Sequence, residues 1–223
     1  LKREILMSVT PDSVKQMLSS EDLGDRLRAV NLIRDLEPGI GFEFIQSALN
    51  DSNSRVRYSA VSQIDTLGGQ DLDLSLSLLR RMIQDPEPDV QAAAADCIGA
   101  LKLVTAYDDL NQLYHSTGEW IVQLSVIATL GALGEPRGFE LLKEALDSSN
   151  ELVKISAISA LGELGNPEAV SLIAPLAENP DWQIRHRVVL ALRLLGGEQA
   201  QSILESLSKD EVEAVAVEAK RPA

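Results

Sequence analysis

Aliphatic residues recur along this chain with the period of an α-helix, and the pattern returns in register. Five segments begin on the anchors Val56, Val90, Val122, Val153 and Ile184, which lie 34, 32, 31 and 31 residues apart. Each anchor is followed by apolar residues at the fourth and eighth positions, which places all three on one helix face. The self-similarity predicts a repeat protein in which each unit ends with an amphipathic helix, named helix B.

A second amphipathic segment, named helix A, precedes each helix B. Residues 41–51 and 138–148 are near duplicates 97 positions apart. Four further segments occupy the same place, namely 75–85, 108–116, 169–179 and 201–209. The joints between A and B are rich in Asp, Asn, Ser and Pro, which favour helix starts. Glycines are predicted to close helix B, because they favour helix ends, at Gly68-Gly69, Gly131, Gly162 and Gly196-Gly197.

The consensus of these units resembles HEAT and phycobilisome-lyase-type repeats, on the evidence of Asp51 with Val56-Arg57 and Asp147 with Val153-Lys154. The resemblance implies a ladder of Asp and Arg between neighbouring repeats. The arginine position holds, in chain order, Arg26, Arg57, Gln91, Gln123, Lys154 and Arg185, so the two glutamines interrupt it.

We therefore predict an all-α fold, a right-handed α-solenoid of about seven HEAT-like helix-turn-helix repeats. An early copy at 25–38 and a shortened copy at 210–220 are the irregular end repeats, as expected of capping units. One domain is expected over residues 7–220, with a frayed tail at 221–223. Residues 1–6 are interpreted as an appended remnant ahead of a natural start at Met7.

Net charge, cysteine content and missing motifs exclude several classes of function. The net charge of -14 argues against nucleic-acid binding, because phosphates require a basic surface. The single cysteine, Cys97, excludes an intrachain disulfide and favours a cytoplasmic protein, and no apolar run is long enough to predict a contact with the membrane interior. The sequence contains no G-x-S-x-G elbow, phosphate-binding glycine loop or H-E-x-x-H motif, and no metal site is predicted.

The helix B residues that point away from helix A are mostly small in the middle repeats. The candidates for a binding trough are Asp89, Ala93, Asp96, Cys97, Ser125 and Ser156. A trough of small residues would admit a helix, a loop or a flat ring. The alternative is that these residues are small because the repeats stack tightly.

The margins of this trough carry larger side chains. Repeat 2 contributes Arg55, Arg57 and Tyr58, and repeat 6 contributes Arg185, His186 and Arg187. The arginines are candidates for binding carboxylates, with inter-repeat salt bridges as the alternative. Trp120 and Trp182 each precede an anchor by two positions and mark either a recognition edge or a hydrophobic staple.

Four strings resemble the cyanobacterial phycobilisome-degradation (non-bleaching) family, which is related to the E and F subunits of phycocyanobilin lyases. They are residues 7–11, 19–38, 85–102 and 136–148. The resemblance implies binding to phycobiliprotein (phycocyanin or allophycocyanin) at phycobilisomes on the thylakoid surface, and help in detaching the chromophore under nutrient starvation. It also implies a ligand, phycocyanobilin or another tetrapyrrole, with no obligatory cofactor. Arg57 and Arg185 would then receive propionates, and tryptophans and aliphatic residues would receive the rings.

Two alternatives remain beside this binding function. A bilin-lyase enzyme would need a general acid or base, for which His186, Asp89 and Asp96 are the candidates. A general HEAT scaffold would need neither a bilin nor a phycobiliprotein. Because no reactive constellation stands out, the sequence favours a binding protein over an enzyme.

Overall fold

The computed structural model describes residues 9–221, and all regular secondary structure in that range is helical. The interpretation of residues 1–6 and of Met7, and the end of the predicted tail, lie outside the described residues. The helices cluster into two compact units divided after Leu101.

The first unit holds three helix pairs. In chain order they are α1 (Pro11–Leu18) with α2 (Leu23–Ile33), α3 (Pro38–Ala48) with α4 (Ser54–Val61) and α5 (Ile64–Leu67), and α6 (Leu72–Met82) with α7 (Pro88–Ala100). A 3₁₀ turn, Gly68–Gln70, precedes α6. These pairs are the predicted repeats 1 to 3.

The second unit holds four pairs. They are α8 (Tyr107–Ser116) with α9 (Trp120–Leu133), α10 (Gly138–Ala145) with α11 (Glu151–Leu164), α12 (Ala169–Ile173) with α13 (Trp182–Leu195), and α14 (Gly197–Leu207) with α15 (Glu213–Ala219). The segments Val104–Ala106 and Ala174–Glu178 are 3₁₀ helices. The all-α repeat fold is thus confirmed, with each predicted A and B segment on its own helix or helix pair.

Two repeats depart from regular helices. Helix B of repeat 2 is interrupted between α4 and α5, where the Gln63 side-chain amide donates to the Val30 carbonyl of repeat 1 at 2.7 Å. Helix A of repeat 6 changes to a 3₁₀ segment at Pro175, which has no N–H to continue an α-helical ladder. Neither break was predicted from the hydrophobic pattern, because the apolar spacing continues through both.

The joints between helices A and B share one hydrogen bond. A side-chain oxygen in each joint accepts from the backbone N–H two residues further on, over 2.8 to 3.2 Å. The seven acceptors are Ser20, Asp51, Asp85, Thr117, Ser148, Asn179 and Asp210. This local bond fixes the turn that leads into helix B. In repeat 5 the acceptor is Ser148, so the sequence assignment of Asp147 to this position is wrong by one residue.

The expected ladder forms where the sequence supplies both charges. Arg57 donates through Nε and Nη2 to Asp85 of the next joint at 2.7 and 2.8 Å, and through Nη1 to the Asp51 and Ser52 carbonyls of its own joint. Arg26 binds Asp51 in the same way, with its Nε 2.7 Å from the carboxylate. Each arginine therefore ties the joint of its own repeat to that of the next.

The second unit repeats this arrangement at its C-terminal end. Arg185 donates to Asp210 at 2.7 and 2.8 Å and to the carbonyls of Asn179 and Pro180. In repeat 5 the arginine position holds Lys154, which turns to Glu151 of its own helix at 3.1 Å. A charged ladder therefore joins repeats 6 and 7, whereas repeat 5 sends no such bond to repeat 6.

Neighbouring B helices of the second unit touch through glycine. The prediction that Gly131 and Gly162 close helix B is wrong, because α9 and α11 continue to Leu133 and Leu164 and are capped by Gly134 and Gly165. A Cβ atom added at Gly131 of α9 would lie 2.7 Å from the Cα atom of Ala160 on α11, and one added at Gly162 would lie 2.7 Å from Cα of Ala191 on α13. Both distances are too short for any Cβ atom, so these helices pack backbone to backbone. Small residues at this seam set how close consecutive repeats lie.

Replacing Gly131 with alanine is expected to lower the free energy of unfolding. Alanine favours a helix by about 1 kcal/mol over glycine, but forcing a methyl group into a closed contact costs about 1–3 kcal/mol and here also requires a backbone shift. We expect a net loss of about 1–2 kcal/mol in urea unfolding followed by circular dichroism. Gly118→Ala is the control, because a Cβ atom there meets nothing within 4 Å. Equal stabilities of the two variants would contradict the close-contact account.

Removing one ladder arginine is expected to destabilise the protein in a pH-dependent way. Hydrogen bonding from Arg185 lowers the pKa of Asp210, so the pair stabilises the fold above the ordinary carboxyl pKa of about 3.9 and loses this effect as the pH falls through the lowered value. Arg185→Gln should therefore cost about 3 kcal/mol at pH 7, and the difference from the wild type should shrink as the pH falls through the lowered pKa of Asp210. Arg187→Gln, which breaks no ladder pair, is the control. A difference that does not change with pH would exclude the ion pair as its cause.

Candidate ligand-binding groove

A surface groove of about 570 Å³ lies on the B helices of the first unit. Its walls come from α2, from the first turns of α4 and from the start of α7. The lining residues are Leu27, Asn31, Ser54, Arg55, Tyr58, Ser59, Glu87, Asp89 and Val90. The groove therefore spans repeats 1 to 3 on the B-helix side, which is the side that the sequence predicts for binding.

Local helix geometry points the groove residues of α4 outward. Asn53 caps this helix by accepting from the Arg55 N–H at 3.0 Å, and Val56 is fully buried. Residues that follow Val56 by two positions lie on the opposite face, so Tyr58 projects away from the core and is 46% exposed. Arg55 is exposed as well.

The two arginines of α4 have different surroundings. Arg57 is held by Asp85 and two carbonyls, and its pKa is raised chiefly by the hydrogen bond to Asp85. Arg55 has no carboxylate within ion-pairing distance in the part of the chain that the structure describes. Arg55 is therefore the cation of the groove that is available to a ligand, whereas Arg57 serves the fold.

The opposite wall is acidic. Glu87 precedes α7 as its N-cap residue but makes no capping hydrogen bond with its side chain, and Asp89 is exposed on the first turn. The groove thus combines a cation, two carboxylates and the exposed ring of Tyr58. Such a set suits a ligand that carries an acidic group, N–H donors and an apolar body.

The predicted trough residues divide between the surface and the core. Asp89 lines the groove and Asp96 is exposed, but Ala93 and Cys97 are buried. The Cys97 thiol donates to the Val61 carbonyl at 3.2 Å, and burial raises its pKa to about 12. At neutral pH it is a protonated packing residue between α4 and α7 rather than part of an open surface.

In the second unit the predicted trough is mostly closed as well. Ser125 is buried and Ser156 half-buried, and their helices α9 and α11 meet closely where Gly131 contacts Ala160. The trough prediction is corrected here: these residues are small because B helices pack closely. The alternative interpretation, that the repeats stack tightly, accounts for the burial of Ala93, Cys97 and Ser125.

The candidate residues of repeat 6 also differ in their burial and contacts. Arg185 is 7% exposed and held by Asp210, so the expectation that Arg57 and Arg185 receive ligand carboxylates is replaced by the inter-repeat salt-bridge alternative. His186 is half-buried with its ring edge-on to Trp182 at 6.5 Å, and Arg187 is half-buried beside it.

Both tryptophans are first residues of B helices and remain exposed. Trp120 is 43% and Trp182 is 42% exposed. A hydrophobic staple uses the residue before the N-cap, so this position does not fit the staple interpretation. The recognition-edge interpretation stays a prediction.

Asp89 and Asp96, two of the three acid or base candidates, do not share one site. Asp89 and Asp96 lie seven residues apart on α7, about 10 Å along the helix axis. His186 belongs to α13 in the other unit. Across residues 9–221 no cluster of three or more His, Cys, Asp or Glu side chains is suited to hold a metal ion. Within the same range, no helix is long and apolar enough to cross a membrane.

Leu27 and Asn31 are groove residues that the sequence does not single out, whereas Arg55 is among its candidates for binding carboxylates. Arg55 precedes the repeat-2 anchor by one position, which is one of the outward positions of the helical period. The pairing of α2 with α4 that completes the groove could not be read from the period alone.

Among solved structures, the chain is similar in fold to phycocyanin lyase, in the CpcE–CpcF complex from Nostoc sp. PCC7120. The match has a TM-score of 0.64 and 22% identity, and covers 98% of this chain and 88% of that chain. The Escherichia coli protein YibA matches with a TM-score of 0.62 and 17% identity, over 90% of this chain and 73% of that one. An engineered protein matches with a TM-score of 0.63 and 17% identity, over 94% and 66%. Because these sequence identities are low, the three matches show a similar fold only.

Sequence comparison addresses the family. No protein of curated function matches the sequence. The model of HEAT repeats matches residues 42–131, 75–159 and 139–220, which together span most of the chain. The seven joints with their shared hydrogen bond and the Arg–Asp ladder give this match its physical basis. The chain belongs to the family of HEAT-repeat proteins.

Proposed function

We propose that this protein binds a phycobiliprotein, takes the bilin chromophore into the groove of α2, α4 and α7, and assists its detachment when phycobilisomes are dismantled. The partner would be phycocyanin or allophycocyanin at the thylakoid surface. Support comes from the four strings that resemble the phycobilisome-degradation family. The fold similarity to a phycocyanin lyase chain agrees with the proposal.

The groove around Arg55 is the observation that carries the proposal. A bilin has two propionates, pyrrole N–H groups and a flat conjugated body. Arg55 would pair with a propionate, and Glu87 and Asp89 would accept from ring N–H groups. Tyr58 and Leu27 offer apolar surface to the rings. The volume of about 570 Å³ lies within the range of about 300–1,000 Å³ that is typical of ligand pockets.

The position of the groove also suits a chromophore that is still attached to its protein. The groove lies on the surface, and Tyr58 at its wall is nearly half exposed. A bilin could enter edge-on while its thioether stays with the phycobiliprotein. Binding would favour the exposed conformation of the attached chromophore, because a ligand shifts an equilibrium by its differential affinity. Detachment itself would be an elimination, in which the C–S bond breaks, a C=C bond forms on the bilin and the cysteine sulfur takes the proton. Tighter binding of the free bilin than of the attached bilin would favour this step.

A bilin-lyase activity is the second candidate, favoured by one observation. Asp89, one of the three acid or base candidates, lines the groove in which the bilin is placed. The two functions differ in stoichiometry, since a lyase would release many bilins per protein and a binding protein at most about one. Mixing limiting protein with phycocyanin and measuring free bilin separates them.

Arg55→Gln is expected to weaken bilin binding. Losing a charge-assisted hydrogen bond of about 1.5–3 kcal/mol should raise the dissociation constant about tenfold or more. The measurement is a spectral titration with phycocyanobilin and, separately, with intact phycocyanin. Arg81→Gln changes the same charge on the exposed surface of α6, outside the groove, and serves as the control.

Tyr58→Ala provides a second, uncharged probe of the same groove and should also weaken binding. If Arg55→Gln and Tyr58→Ala both bind the bilin and phycocyanin as the wild type does, the groove is not the site. If the wild type binds neither, the protein is a HEAT scaffold for another partner.

A further inference from the structure

We propose that a second groove, between repeats 5 and 6, is a docking site for a partner polypeptide that inserts an arginine beside an apolar residue. The groove has a volume of about 380 Å³ and lies wholly within the second unit. Its lining residues are Leu146, Glu151, Lys154, Ile158, Leu176, Asn179, Asp181 and Ile184. It is independent of the bilin groove and of the function proposed there.

The neighbouring repeats show what this position accommodates. Between repeats 6 and 7, the side chain of Arg185 fills the equivalent place and binds Asp210 with two hydrogen bonds, at 2.7 and 2.8 Å. Thirty-one residues earlier, the arginine position holds Lys154 and the aspartate position holds Asn179. The same repeat architecture is therefore present without the guanidinium that completes it between repeats 6 and 7.

The two substituted residues bond elsewhere and leave the groove open. Lys154 turns to Glu151 at 3.1 Å, and Asn179 accepts from the backbone N–H of Asp181 at 2.9 Å. No described contact joins Lys154 to Asn179. A guanidinium from outside would meet the carboxylates of Glu151 and Asp181 with the fork of donors that matches them.

The apolar part of the groove fits the stem of an arginine. Leu146, Ile158, Leu176 and Ile184 line it, and methylene groups of a long cationic side chain pack on such residues while the charged end meets the acids. The ladder arginines of this protein show the same division, with a buried stem and a paired head group.

Two exposed apolar side chains adjoin the groove in the sequence and indicate a polypeptide partner. Leu152 follows Glu151 and is 51% exposed, and Trp182 follows Asp181 and is 42% exposed. Both lie on the first turns of their helices. Tryptophan is a frequent anchor of protein interfaces and also binds arginine through its ring face. The net charge of -14 likewise favours a cationic partner over nucleic acid or anionic lipid.

The first test uses a labelled peptide of alternating arginine and leucine, and the same peptide with citrulline in place of arginine. In the Trp120→Phe background, Trp182 is the only tryptophan and its fluorescence reports on the groove. We expect saturable binding of the arginine peptide, at least about tenfold tighter than the citrulline peptide and weakened by salt. Equal binding of both peptides would overturn the proposal.

The second test introduces an arginine of the protein's own chain into the groove. Lys154→Arg with Asn179→Asp installs the pair that joins repeats 6 and 7, and it should raise the melting temperature while weakening arginine-peptide binding about tenfold or more. Lys143→Arg on α10 is the control and should leave both unchanged. A double variant that is stabilised but binds the arginine peptide as before would contradict the assignment.

A third variant applies even if the double variant does not fold. Glu151→Gln with Asp181→Asn removes both groove carboxylates and keeps an N-cap side chain before α13, because Asn caps helices as well as Asp does. It should lower the affinity for the arginine peptide and leave that for the citrulline peptide unchanged. Unchanged affinity for the arginine peptide would exclude the two acids as its ligands, and Arg55→Gln should have no effect in any of these assays.

Discussion

The rest of the structure depends on one hydrogen bond in each joint between helices A and B. A side-chain oxygen accepts from the backbone two residues on, in all seven joints of the described chain. This bond fixes where helix B starts and therefore which of its residues face the next repeat. When the acceptor is Asp, its carboxylate also binds the arginine of the preceding repeat, as in Asp85 with Arg57. One side chain thus sets both the local turn and the stacking.

The same constraint separates structural from available charges. Arg57 and Arg55 are two residues apart on α4, yet the first is held in the ladder and the second faces a groove. In such a fold, we expect ligands to be bound by side chains that take no part in the ladder. We also expect binding where the repeat pattern has a different residue, such as Lys154 at the arginine position. Both candidate surfaces follow from this distinction, and each lies within one compact unit.

The periodicity of this sequence predicts the fold, but it predicts much less of the candidate site. The anchors and the helix pairs could be predicted because a single face of every helix repeats at 31 to 34 residues. The roles of Arg57 and Ala93 could not, because an outward helical position is either solvent-facing or covered by the neighbouring B helix. That outcome depends on how close helices lie, which Gly131 and Gly162 decide through contacts with residues some thirty positions away. Arg55 had the right position and charge, but only the packing of α2 beside α4 shows that it lines a groove.

Amide hydrogen exchange in the presence and absence of intact phycocyanin tests the central claim most directly, namely that the B-helix side of the first unit holds the partner. The account predicts slower exchange in α2, in α4 (Ser54–Val61) and in the first turn of α7, with α3 and α6 unchanged. Protection confined to the A helices α3 and α6, or to the second unit alone, would contradict it.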